Sequence, residues 1–164
     1  MYKSIFTGRR LIGVFSASPL MFAVTGSKSI LKINLKTRKL EKTYWGNPFG
    51  HYDIARLPGA DLFAADRFLL PGGVLMDFNL KKVKDIAIPR GVREIEFTRD
   101  GGSLLATGFF DGFLYFIDPI RGNRILKKIF VGKGGRELLV TDDGKAFVGT
   151  ACGIVEVDLE HIRK

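Results

Sequence analysis

Apolar residues along this chain gather in short extended runs, with no stripe at helical spacing. Four runs share one ending: "SILKINL" (29–35), "GVLMDFNL" (73–80), "GFLYFIDP" (112–119) and "GIVEVDL" (153–159) each close on Asn or Asp. The closing residues Asn34, Asn79, Asp118 and Asp158 recur at intervals of 45, 39 and 40 residues. A second landmark keeps the same beat. "EFTRDGGSLLATG" (96–108) aligns with "LVTDDGKAFVGT" (139–150) as strand, Asp-Gly turn, strand. Asp-Gly between apolar runs signals a hairpin, because Gly tolerates the positive φ such turns demand.

A period near 40 residues with about four short strands per unit predicts an all-β fold, a β-propeller of four-stranded blades. With strands lettered a to d from the centre outward, the blades span 9–44, 51–88, 92–130 and 136–158 of a single domain over 1–164. The last blade runs out after strand c. The opening "YKSIFTG" (2–8) copies "KKIFVG" (127–132), which ends strand d of blade three. Residues 2–6 therefore read as the missing strand d. That sets Tyr2, Ser4, Ile5 and Phe6 against Ile154, Val155 and Val157, and covers an otherwise unpaired edge.

"VREIEFTRDGGSLLATGFFDGFLYFID" resembles a WD-repeat unit with Ile117-Asp118 where that family has Trp-Asp. "VGKGGRELLVTDDGKAFVGTACGIVEVDL" is similar to YVTN-type propeller repeats. The resemblance is good over 92–159 and weaker over 9–88; Trp-Asp pairs are lacking and Gly50-His51 is the one Gly-His dipeptide. It implies a propeller, no specific functional family, and rings of seven or eight blades. Four blades per chain then predict an eight-bladed ring formed by a homodimer, with reciprocal strand exchange at both junctions. A self-closed four-bladed monomer is the competing arrangement.

Composition narrows the setting. Apolar residues make up 46% of the chain, enough to bury a real core. The single Cys152 excludes an intrachain disulfide and fits a reducing, cytoplasmic compartment. No apolar run reaches the length of a membrane-spanning helix. Lys3, Arg9 and Arg10 followed by "LIGVFSASPLMFAV" have the layout of a signal peptide, but the repeat register assigns the segment to two strands.

A net charge of +9 favours acidic partners. Basic residues on strand d and its approach guard an outer edge against pairing. A second basic set, Arg9, Arg10, Lys28, Arg67, Arg90, Lys133 and Arg136, lies in the d–a and b–c loops, which share one face. Asp66 and Asp111 are the main acids opposing it, and Phe109 and Phe110 are the aromatics placed to be exposed there. These features predict a non-enzymatic interaction scaffold that binds an acidic macromolecule, an acidic protein first, through a basic loop face. An enzyme or small-ligand sensor would draw on His51, Asp53, Asp66 and Asp111 near the channel, which show no recognisable catalytic spacing. Electrostatic nucleic-acid binding is the third reading. No cofactor or metal is expected, since His51 and His161 stand far apart without a ligand cluster.

Overall fold

Short polar turns cut the apolar runs into hairpins. The structure, a computed structural model, describes residues 11–25, 29–45 and 51–161. Blade one comprises β1 (Leu11–Ala17), β2 (Leu20–Thr25), β3 (Ile30–Asn34) and β4 (Lys39–Tyr44). Blade two comprises β5 (Ile54–Arg56), β6 (Leu62–Asp66), β7 (Gly73–Asp77) and β8 (Lys82–Ile86). Blade three comprises β9 (Val92–Phe97), β10 (Leu104–Gly108), β11 (Phe113–Asp118) and β12 (Arg124–Phe130). Blade four comprises β13 (Glu137–Val140), β14 (Lys145–Thr150) and β15 (Gly153–Asp158), a three-stranded sheet among the described residues. Every sheet is antiparallel and keeps sequence order from strand to strand. The segment with a signal-peptide layout forms the β1–β2 hairpin, Phe15 opposite Phe22.

Strand c ends where an Asx side chain captures the turn that follows. Asn34 Oδ1 accepts the amides of Lys36 and Thr37, both at 3.0 Å. Asp118 accepts those of Ile120, Arg121 and Gly122, and Asp158 that of Glu160. In blade two this residue is Asp77, and the Asn79 of the sequence pattern falls two residues beyond it. Asp77 Oδ1 accepts Asn79 N at 2.9 Å and Lys81 N at 2.8 Å, so β7 stops earlier than the apolar run suggests. Asp77, placed at the end of the strand, captures both amides before Asn79 is reached.

Three apolar cores hold four blades together. Phe22, Val24 and Ile30 of blade one meet Phe63, Ala65 and Met76 of blade two. Ala64 and Leu75 on the other face of blade two meet Ile95, Leu104 and Ile117 of blade three. Leu105, Leu114 and Phe116 then meet Val140, Ala146, Val148 and Val157 of blade four. Among the described residues no fourth cluster joins blade four to blade one.

Register shows what this leaves open. Phe147 and Ile154 hold in blade four the places of Leu105 and Leu114 in blade three, counted back from Asp158 and Asp118. Leu105 and Leu114 are fully buried under blade four, whereas Ile154 is 77% exposed and Leu139, on the same face of the sheet, 55%. On blade one, Val14 is 57% exposed, while Ala23, Leu31 and Ile33 of the same face are buried. Val155 is half-buried and Val157 buried, both turned toward blade three. Tyr2, Ser4, Ile5 and Phe6, expected beside β15, lie outside the described residues. No helix is long and apolar enough to cross a membrane among the described residues.

Candidate functional site

From blade two to blade four, the b–c turns and d–a connections are laced into a continuous rim by their own backbone. Phe68 O accepts Gly91 N at 2.8 Å, Gly91 O accepts Phe109 N at 2.9 Å, and Phe109 O accepts Gly134 N at 2.9 Å. Lys133 O accepts Ala151 N at 3.0 Å, carrying the chain of bonds into blade four. Gly91 has φ of +79° and an ideal Cβ there would stand 2.5 Å from Phe110 Cδ2, so the turn needs glycine twice over. Loops tied this way form a rigid platform instead of loose connectors.

Aromatic rings and guanidinium groups alternate on that platform. Tyr52 and Phe68 meet as tilted rings at 5.2 Å between centroids, Phe68 and Phe110 likewise at 5.9 Å, and Phe109 meets Phe110 edge-on at 5.3 Å. Arg93 Cζ sits 5.0 Å from the Tyr52 centroid and 5.5 Å from that of Phe109. Arg136 Cζ is 5.9 Å from Phe109. Tyr52, Arg93 and Arg136 occupy the same place at the start of strand a in blades two, three and four, so the repeat itself sets them in a row.

The basic residues expected on this face fare differently. Arg90, Lys133 and Arg136 are exposed, and their side chains make no ion pair among the described residues. Arg67 is neutralised by Asp85 at 3.0 Å. Arg9, Arg10 and Lys28 lie outside the described residues. Phe110 is 57% exposed and Phe109 half-buried beneath Arg93 and Arg136. Arg93, Tyr52 and Phe68 were missed by sequence reasoning, which searched loops for charge. Comparing the first residue of strand a across blades would have found two of the three.

The channel-side acids are drawn into structure. Asp66 is fully buried, its Oδ1 accepting the amides of Tyr52 at 2.6 Å and Asp53 at 2.9 Å. Asp53 Oδ2 accepts Ile95 N at 2.9 Å and Glu96 Oε2 accepts Val140 N at 2.9 Å, each bridging one blade to the next. Inner strands have no ladder partner on their channel side, and carboxylates from the preceding blade satisfy amides that would otherwise be orphaned. Burial pushes the Asp66 carboxyl well above the usual range. Burial also raises Asp53 and Glu94; the charge of Asp53 raises Glu94 further, while the hydrogen bond between the two favours the Asp53 carboxylate. His51 is buried, its Nδ1 bonded to the Asp66 carbonyl, and burial lowers its pKa, which keeps the ring neutral at neutral pH. His51 Nε2 and Asp66 Oδ2 are buried without a hydrogen-bond partner among the described residues.

Asp111 stands apart from this group, accepting the Tyr115 hydroxyl and the Phe113 amide at 3.2 Å. His161 pairs with Asp158 at 2.8 Å on the opposite face, and Cys152 is exposed. No set of three or more His, Cys, Asp or Glu side chains among the described residues is placed to hold a metal ion. A cavity of about 150 Å³ lies between the a–b turns of blades three and four, away from the rim, where Arg99 pairs with Asp142 at 2.8 Å.

Four antiparallel sheets stacked face to face, with inner strands bridged by carboxylates, define a β-propeller with WD-like blades. The chain is similar in structure to a computationally designed protein, Ika4, with a TM-score of 0.78 at 9% identity over 97% of this chain and 99% of that one. It is also similar to the Cps50 (Swd1) beta-propeller domain of Myceliophteria thermophila, with a TM-score of 0.72 at 18% identity. That match covers 85% of this chain and 49% of the other, so the chain spans about half of that propeller. No known family model matches the chain, and no curated protein sequence does. The likeness is one of fold, which by itself carries no function.

Proposed function

We propose that the chain is half of an eight-bladed ring, completed by a second copy, and that it serves as a non-enzymatic scaffold docking an acidic macromolecule on its basic loop face. The observation that carries the ring is Ile154: its counterpart Leu114 is buried by the next blade, while Ile154 is 77% exposed. Superposition on half of a larger propeller supports the same reading, because a tightly closed four-bladed ring would need a sharper turn at each blade contact. Residues 2–6 of each copy supply strand d to the partner's β15, whose outer edge is unpaired among the described residues.

The docking role draws on the +9 charge and on exposed Arg90, Lys133 and Arg136, free of ion pairs among the described residues, over a hydrogen-bonded loop platform. Twofold symmetry presents that face twice on one side of the ring. Sedimentation equilibrium tests the ring: twice 18.2 kDa is expected, and a species of 18.2 kDa at micromolar concentration overturns it. Retention on immobilised polyglutamate tests the face. Binding should fall steeply with salt, and retention unaffected by salt overturns the electrostatic reading.

A further inference from the structure

Two guanidinium groups on the rim are held in place without an anion. Arg93 lies between the rings of Tyr52 and Phe109, and Arg136 lies against Phe109 as well. Stacking fixes the plane of a guanidinium but leaves its N–H fork at the edge, the geometry that grips a carboxylate or phosphate. Among the described residues neither side chain has a carboxylate partner, and Arg93 Nε is buried without an acceptor. Beside them Phe110 exposes more than half of its surface, braced by Phe68, Phe109 and the Gly91 backbone. Oriented cations around a rigid, part-buried aromatic cluster are the makings of a binding hot spot.

We propose that this rim is a peptide clamp. Two oxyanion side chains of an extended segment, carboxylate or phosphate, seat on Arg93 and Arg136, and an apolar side chain between them packs on Phe109 and Phe110. The proposal rests on the loop face being the docking face. A peptide fits better than a nucleic-acid strand because the oriented cations are two in number and share a single ring, Phe109. Glu137 follows Arg136 directly on the same inner strand and is exposed. A continuous polyanion laid across the rim meets that acidity at close range, whereas two discrete charges on the arginines do not. Arg90 and Lys133, exposed on the flanks, steer the approach.

Fluorescence anisotropy on the full chain tests this with four labelled probes: a peptide with a Glu-Asp-Phe-Asp-Glu core, its phosphoserine version, its Gln/Asn version and an oligothymidylate. Both charged peptides should bind, and the neutral one at least about tenfold more weakly. Arg136→Gln and Phe110→Ala should each cost roughly tenfold, while Lys81→Gln on the far side of blade two and the mass of the assembly stay unchanged. Which charged peptide binds more tightly tells carboxylate from phosphate. Oligothymidylate binding more tightly than either peptide overturns the clamp in favour of nucleic acid. Salt-sensitive peptide binding that ignores Arg136 and Phe110 removes the clamp alone. Failure of every charged probe removes the docking face with it.

Discussion

Replacing Ile154 by alanine tests the ring at its seam. The side chain is 77% exposed in the single chain, so its removal should barely touch the stability of one folded copy, within about 0.5 kcal/mol. In the ring it takes the role of Leu114, which the next blade buries completely. Ile→Ala removes three carbons at about 0.8 kcal/mol each, and most of that area is still available to be buried. The loss is about 2 kcal/mol at each seam. Symmetry supplies two seams, hence about 4 kcal/mol and close to a thousandfold in the dimer dissociation constant. Sedimentation equilibrium across a concentration series reads the constant, and urea unfolding of the dilute variant reads the fold. A dissociation constant within threefold of the parent would refute the reasoning. So would a loss of single-chain stability comparable to the 2–5 kcal/mol typical of truncating a core aliphatic side chain.

Other consequences can be checked separately. Asp66 binds its proton more tightly folded than unfolded, so stability should fall as pH rises above the ordinary carboxylate range; Asp66→Asn keeps the acceptor for the Tyr52 and Asp53 amides and should flatten that slope in urea titrations at several pH values. His51 acts in the opposite direction: its lowered pKa means stability should decline as pH drops below 6.5, and His51→Gln should remove that decline. Gly112→Ala should destabilise by about 2–4 kcal/mol in chemical denaturation, since φ is +77° and the new Cβ would stand 2.8 Å from the Gly132 carbonyl carbon. Asp118→Ala releases the amides of Ile120, Arg121 and Gly122 in an exposed turn and should cost about 1 kcal/mol, read as a shift in thermal midpoint.

The propeller was legible because its punctuation is chemical. Asp100-Gly101 turns with Gly101 at φ +69°, and Asn34, Asp118 and Asp158 each capture a turn, so spacing in the sequence became spacing of blades. Asn79 misled because two acceptors stand two residues apart, and only backbone geometry chooses between them. The rim was half legible. Phe109 and Phe110 announced themselves as adjacent aromatics in a turn, but Arg93 sits on a strand and becomes a rim residue only through Tyr52 and Phe109, 41 and 16 positions away. Asp66 read as surface acidity to offset the arginines; the fold buries it completely and turns its carboxyl to the Tyr52 and Asp53 amides.

Strand order has a consequence for how the chain assembles in time. Among the described residues each sheet is made of consecutive strands, and each apolar core joins a blade to its successor. Folding can therefore spread from one nucleus to its neighbour, as in an array with nearest-neighbour coupling, without waiting for distant segments to meet. In a copy diluted away from its partner, blades two and three, flanked on both sides, should hold their amide protons longest against exchange with solvent, and opening should travel inward from the blades at the seams.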